Sequence, residues 1–201
     1  MYSNGAQVFS VLLLLLFLPN AIVSLGPGQL GIVFNEDLAT KPAHAPLKKI
    51  VFNSIIEFKT WQADNALSDE QLAGIARQAF ADMKAKFKET DLKKFGIQKR
   101  VKESPFVMVA MTKGKKVYLS SSMKSGGDDA TSTAYLQTYR ELSVYTALLE
   151  CQARSEDDSE HRRSGNCAEV ITAQLAFVNG ETDLKGSVVI IATSLNNRSC
   201  D

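Results

Sequence analysis

The 201-residue chain is short of several things, and each scarcity excludes something. It has three cysteines, which excludes a small scaffold held by a dense disulfide framework. Twelve glycines and five prolines are too few for a collagen-like or low-complexity chain, and no internal repeat is found. Charge of one sign is lacking as well: 23 Lys and Arg stand against 22 Asp and Glu, leaving +1. That excludes a strongly basic nucleic-acid grip and an acidic tail. A mean hydropathy of −0.08 argues against a polytopic membrane protein. What remains, 45% apolar and 22% charged, is the composition of an ordinary globular domain with a sizeable core.

No charged residue precedes Glu36. Val8 to Val23 is almost continuously apolar, centred on the run from Val11 to Leu18, and is followed by Pro19 and the small residues Ala21, Ser24 and Gly26. That order is the order of a secretory signal peptide over residues 1–25, with cleavage near Ser24 to Gly26 and a mature chain starting close to Pro27. Met1 to Gln7 lacks the usual positive charge, and a single membrane anchor is the competing reading. The run is short for a span and is interrupted by Pro19 and Asn20. A secreted, extracellular protein is therefore expected. In an oxidising compartment Cys151, Cys167 and Cys200 allow one disulfide and one thiol, and spacing leaves all three pairings open.

Residues 26–64 read as a leader rich in Gly, Pro and Ala, ending in a first strand within Lys48 to Trp61. The runs Ile50-Val51-Phe52 and Ile55-Ile56 favour that strand, though a helix fits them too. The domain proper is expected over 65–201. Leu72, Ile75, Ala76, Ala79, Phe80, Met83 and Phe87 recur at spacings of three and four, predicting a helix from Ser68 to Phe87. Ser68 and Gln71 form a capping-box pattern at its start. The basic stretch Lys84 to Lys102 reads as a solvated connection beside this helix, since the chain as a whole is near neutral.

Two apolar runs, Phe106 to Met111 and Val117 to Leu119, flank Lys113-Gly114-Lys115 and predict a β-hairpin. The first run is apolar at successive positions, so its strand belongs inside a covered sheet. A second long helix is predicted from about Ser132 to Arg154, then a charged loop to Arg163. Ala168 to Val178 reads as a helix ended by Asn179-Gly180. Val188 to Ala192, fully apolar, reads as a strand in the middle of a parallel sheet. Helix, hairpin, helix, helix and strand together predict an α/β sandwich in one domain.

The chemistry concentrates near the C-terminus. Gly165-Asn166-Cys167-Ala168-Glu169 falls at a helix start, where the dipole favours a thiolate over a thiol. Cys200 follows the strand Val188 to Ala192, at the sheet edge where α/β proteins place ligands. A zinc ion shared there, beside the Glu169 carboxylate, would make a hydrolytic centre. Each residue also has a plainer reading. Asn166 and Glu169 make an N-cap pair, and Cys167 is a small buried hydrophobe or half of a disulfide.

Taken together, these residues resemble the cytidine deaminase-like superfamily. Its members carry a [His/Cys]-x-Glu motif at one helix start and Pro-Cys-x-x-Cys at the next, separated by a helix and a strand. Cys167-Ala168-Glu169 matches the first motif in its cysteine form, and Cys200 falls at the first cysteine of the second. The resemblance covers about Ser68 to Asp201, with a helical insertion at about 131–163. It implies a three-layer α/β sandwich, Cys167 and Cys200 as zinc ligands, Glu169 as proton shuttle and Asn166 beside the metal. The implied substrate is a nucleobase, nucleoside or nucleic acid, and the near-zero net charge leans toward a small one. Ser199 replaces the family's proline, and Asp201 ends the chain two positions before the third ligand. The C-terminal elements of the fold are accordingly expected to be missing, and the site as written has two of three zinc ligands. His161, six residues before Cys167, is the substitute ligand the chain offers, from a charged loop. The resemblance leaves open whether this chain is active; the rival is a non-catalytic secreted effector or binding protein held by a disulfide.

Overall fold

Thirteen residues that composition marks as leader turn out to carry the first elements of the fold. The computed structural model describes residues 28–40, 49–58, 67–97, 101, 103–125, 144, 146, 147, 150 and 167–193. In chain order these form β1 (Val33–Phe34), α1 (Glu36–Thr40), β2 (Lys49–Ile50), β3 (Phe52–Glu57) and α2 (Asp69–Glu89). A short 3-10 turn (Leu92–Phe95) leads to β4 (Val107–Lys113), β5 (Lys116–Ser121) and β6 (Lys124–Ser125). After these come α3 (Ala168–Val178) and β7 (Val189–Thr193). The result is a mixed α/β fold: a five-stranded sheet in the order β1-β3-β5-β4-β7, packed with helices. All its pairings are antiparallel.

The central hairpin forms where the sequence places it. Its two-residue turn needs a positive φ at the first position, and Gly114 supplies it at 54°. Met108 to Met111 are buried, as a strand covered on both faces requires. Alternation then assigns the faces. Met108, Ala110, Val117, Leu119 and Ala192 join the core with Leu72, Ile75, Ala76, Ala79 and Met83 of α2. Met111 and Tyr118, on the opposite face, pack with Ala176 of α3.

The helix α2 starts on the capping box read from the sequence: Ser68 Oγ accepts the Gln71 N–H at 3.2 Å, and Gln71 Oε1 accepts the Ser68 N–H at 2.9 Å. Lys84, Lys86, Lys88, Lys93 and Lys94 are exposed, in keeping with a solvated basic stretch. The helix α3 has the predicted bounds, and Gly180 follows its cap with φ 93°.

Two expectations are corrected. The strand read as the centre of a parallel sheet is β7, antiparallel to β4 and last in the order. An apolar run cannot distinguish a central strand from one covered on a single face. Here Ala192 is buried toward α2, whereas Val189 and Ile191 on the other face are 44% and 50% exposed. The stretch from Pro27 to Pro46 is also more than an extended leader. Leu30, Ile32, Leu38 and Ala39 are buried in it, and β1 pairs with β3. Its glycines and prolines mask the apolar run from Leu30 to Phe34.

The predicted helix from Ser132 to Arg154 lies outside the described residues except for Val144, Thr146, Ala147 and Glu150, which are helical. Val144 is buried in one cluster with Ile171, Leu38, Val51 and Met123. Among the described residues no helix is long and apolar enough to cross a membrane. The expected signal peptide at 1–25 is outside them.

Candidate functional site

The helix α3 starts on Cys167, not on Asn166. Cys167 has the extended backbone of a cap residue, φ −64° and ψ 141°, and its carbonyl accepts the Ile171 N–H at 3.1 Å. This puts Glu169 at the second helical position, so the alternative reading of Asn166 and Glu169 as a capping pair is not what starts the helix. The cap is set by where the backbone turns into the helix, one residue later than side-chain preference suggests. The Cys167 side chain makes no capping hydrogen bond and is half-buried. Glu169 is exposed in the first turn, where the helix dipole favours a carboxylate.

Topology decides what this turn faces. Ala176, near the end of α3, packs on Met111 and Tyr118, close to the hairpin turn. The strand β7 then runs the other way, from Val189 opposite Met111 to Thr193 opposite Val107. Eleven helical and five extended residues both cover about 16 Å. The chain therefore returns to the level of Cys167 at Thr193, and the α3 start and the β7 exit share one end of the sheet. Cys200, His161, Asn166 and Cys151 lie outside the described residues. Of the expected site, the structure places Cys167 and Glu169, two residues apart in one turn.

For zinc, the fit rests on these two. A half-buried cysteine at a helix start is a suitable thiolate donor, and an exposed carboxylate beside it can exchange protons with water. Among the described residues no three His, Cys, Asp or Glu side chains come together.

A second polar cluster sits at the opposite end of the sheet and is not legible in the sequence. Tyr118 donates its hydroxyl to Glu181 at 2.5 Å, and Lys116 Nζ reaches the same carboxylate oxygen at 3.5 Å. Burial pushes the Tyr118 phenol well above its ordinary value, and the hydrogen bond and charge of Glu181 push it further. Lys113 donates to Asp183 and to the Lys185 carbonyl, both at 2.8 Å, and holds the Asp183 carboxyl below the usual range. Tyr118 and Glu181 are 63 residues apart, and no motif connects them. Gln174 also escapes a sequence reading. It lies seven residues on from Cys167, on the same helix face, fully buried with both side-chain polar atoms lacking a hydrogen-bond partner.

Compared with protein-family models, curated proteins and solved structures, the chain matches none.

Proposed function

We propose that this is a secreted, deaminase-like hydrolase that removes an exocyclic amine from a nucleobase, nucleoside or nucleic acid. Cys167 and Cys200 would hold zinc, and Glu169 would carry the protons. The observation that carries this reading is the common end of the sheet reached by the Cys167-x-Glu169 turn and by the chain leaving β7. The order helix α2, hairpin β4–β5, helix α3, strand β7 agrees with it, as does the packing of α2 and α3 on opposite faces in a three-layer arrangement. His161 is the additional donor that the sequence offers.

The residues divide the work by position. Cys167 presents a sulfur at a helix start, where negative charge is favoured. Glu169, exposed two residues further on, takes a proton from the attacking water and delivers it to the leaving nitrogen. Water adds at the amine-bearing carbon, the C–N bond breaks and ammonia departs, leaving a carbonyl on the base. Zinc, when bound, would supply Lewis acidity toward that water.

The test pairs elemental analysis of the secreted chain with ammonia release from cytidine, adenosine and single-stranded DNA. Near one zinc per chain, and ammonia release that Glu169→Gln abolishes without lowering thermal stability, are the expected results. A zinc-free chain with Cys167 in a disulfide and no ammonia released would overturn the reading in favour of a disulfide-held effector.

A further inference from the structure

The two carboxylate oxygens of Asp82 are used unequally. The residue sits on α2 at 7% exposure. Oδ1 accepts the Gly28 backbone N–H at 3.0 Å and the Gln78 side-chain amide at 2.8 Å. Oδ2 is buried and has no hydrogen-bond partner. No ion pair among the described residues involves it. A buried carboxylate oxygen left this way is costly, and the group best suited to it is a cationic N–H donor.

The backbone arriving at this carboxylate is held firmly. Leu30 and Ile32 are 2% and 6% exposed in the main core, and Ser54 Oγ donates to the Leu30 carbonyl at 2.6 Å. Gly28 is thus a fixed point at the head of the fold. The sequence puts signal cleavage near Ser24 to Gly26, so processing creates an α-ammonium within three residues of Gly28. A terminus at Pro27 brings that cation one residue, about 3.5 Å of backbone, from the Gly28 nitrogen. No side chain from Met1 to Asn35 carries a charge, so on that side of Gly28 a nearby cation has to be an α-ammonium made there by processing.

We propose that Asp82 is the seat of the mature N-terminus: signal removal supplies the ammonium that Oδ2 lacks, and the fold tightens on processing. This rests on the secretory part of the proposed function and is independent of the deaminase chemistry.

The test uses the chain beginning at Pro27, with its α-amine native or selectively acetylated, each with and without Asp82→Asn. Acetylation is expected to lower Tm by roughly 3 °C or more in the wild type and to have no effect with Asp82→Asn. Equal melting of the two wild-type forms, or the same loss with Asp82→Asn, would overturn the seat. Should Asp82→Asn not fold, labelling decides: a seated α-amine resists reductive methylation in the folded wild type, and rapid labelling overturns the proposal. Mass spectrometry of the secreted chain separates the two readings. A start between Leu25 and Pro27 supports the seat; a distant start overturns it while leaving secretion intact; an uncleaved, retained chain overturns both.

Discussion

Tyr118 donates its hydroxyl to Glu181 at 2.5 Å, tying the central hairpin to the loop that returns from α3 to β7. Tyr118 is fully buried on β5, so this bond is made at the inner edge of the loop, with Lys116 on the same carboxylate. Lys113 fastens the next turn through Asp183 and the Lys185 carbonyl. The cluster fixes the end of α3 and the start of β7 at one end of the sheet. The direction of both elements then sets where Cys167 and the exit of β7 lie at the other end. A polar lock with no chemistry of its own thereby positions the candidate site.

Replacing Tyr118 tests the lock. The phenol ionises less readily in the folded chain than at its ordinary value near 10, because burial and the Glu181 charge both favour the neutral form. Its contribution is present in full below about pH 10 and is lost as the pH rises toward the folded value. Tyr118→Phe is expected to cost about 1–2 kcal/mol at neutral pH and to flatten the loss of stability above pH 10. Urea unfolding at neutral and alkaline pH measures both; an unchanged alkaline slope would show that Tyr118 is not its source.

Ser121 offers a second test, in the main core. Its fully buried hydroxyl accepts the Phe52 N–H at 3.0 Å and donates to the Ser122 carbonyl at 3.0 Å. Ser121→Ala leaves a buried backbone donor without an acceptor, expected to cost about 1–3 kcal/mol. Denaturant midpoints check it, and a loss below about 0.5 kcal/mol would mean that water replaces the hydroxyl.

Which parts of this molecule could be read from its sequence follows from the range of the forces involved. The helix α2, its capping box, the hairpin turn at Gly114 and the helix α3 all depend on residues within a few positions of one another. Periodicity and turn chemistry report such local features directly. The place of β7 depends on which edge β4 leaves open, and the packing of Leu30 and Ile32 depends on α2 and β3, so neither has a local signature. At the candidate site, Cys167 and Glu169 were legible because they share a turn. The helix bounds are legible too, although side-chain preference points to Asn166 as the cap in place of Cys167, and the Tyr118–Glu181 bond is invisible because only the fold brings its partners together.

The strand β7 gives a test of its one-sided cover. Ile191 is 50% exposed, whereas the adjacent Ala192 is 7% exposed and packed toward α2. Ile191→Lys is expected to stay within about 0.5 kcal/mol of wild type and to reduce self-association at high concentration, since a charge blunts an apolar edge. Ala192→Lys forces a cation into the core and is expected to cost roughly 3 kcal/mol or more. Thermal melts and light scattering separate the two; equal damage from both would contradict the one-sided cover of β7.

Cys167→Ser separates metal binding from packing at the candidate site. Cys167 caps α3 without a side-chain hydrogen bond to the first-turn N–H groups, whereas serine is among the preferred caps because its oxygen can accept one of them. Without metal, the variant is therefore expected to match wild-type stability or exceed it by about 1 kcal/mol. If Cys167 is a zinc ligand, the same variant loses the metal, because a neutral hydroxyl is a far poorer donor than a thiolate. A chelator should likewise speed alkylation of wild-type Cys167 by iodoacetamide at least about ten-fold, as coordination no longer occupies the sulfur. Apo-state melts, zinc content and alkylation rates read these effects independently. A strong loss of apo stability, with alkylation indifferent to the chelator, would return Cys167 to a purely structural role.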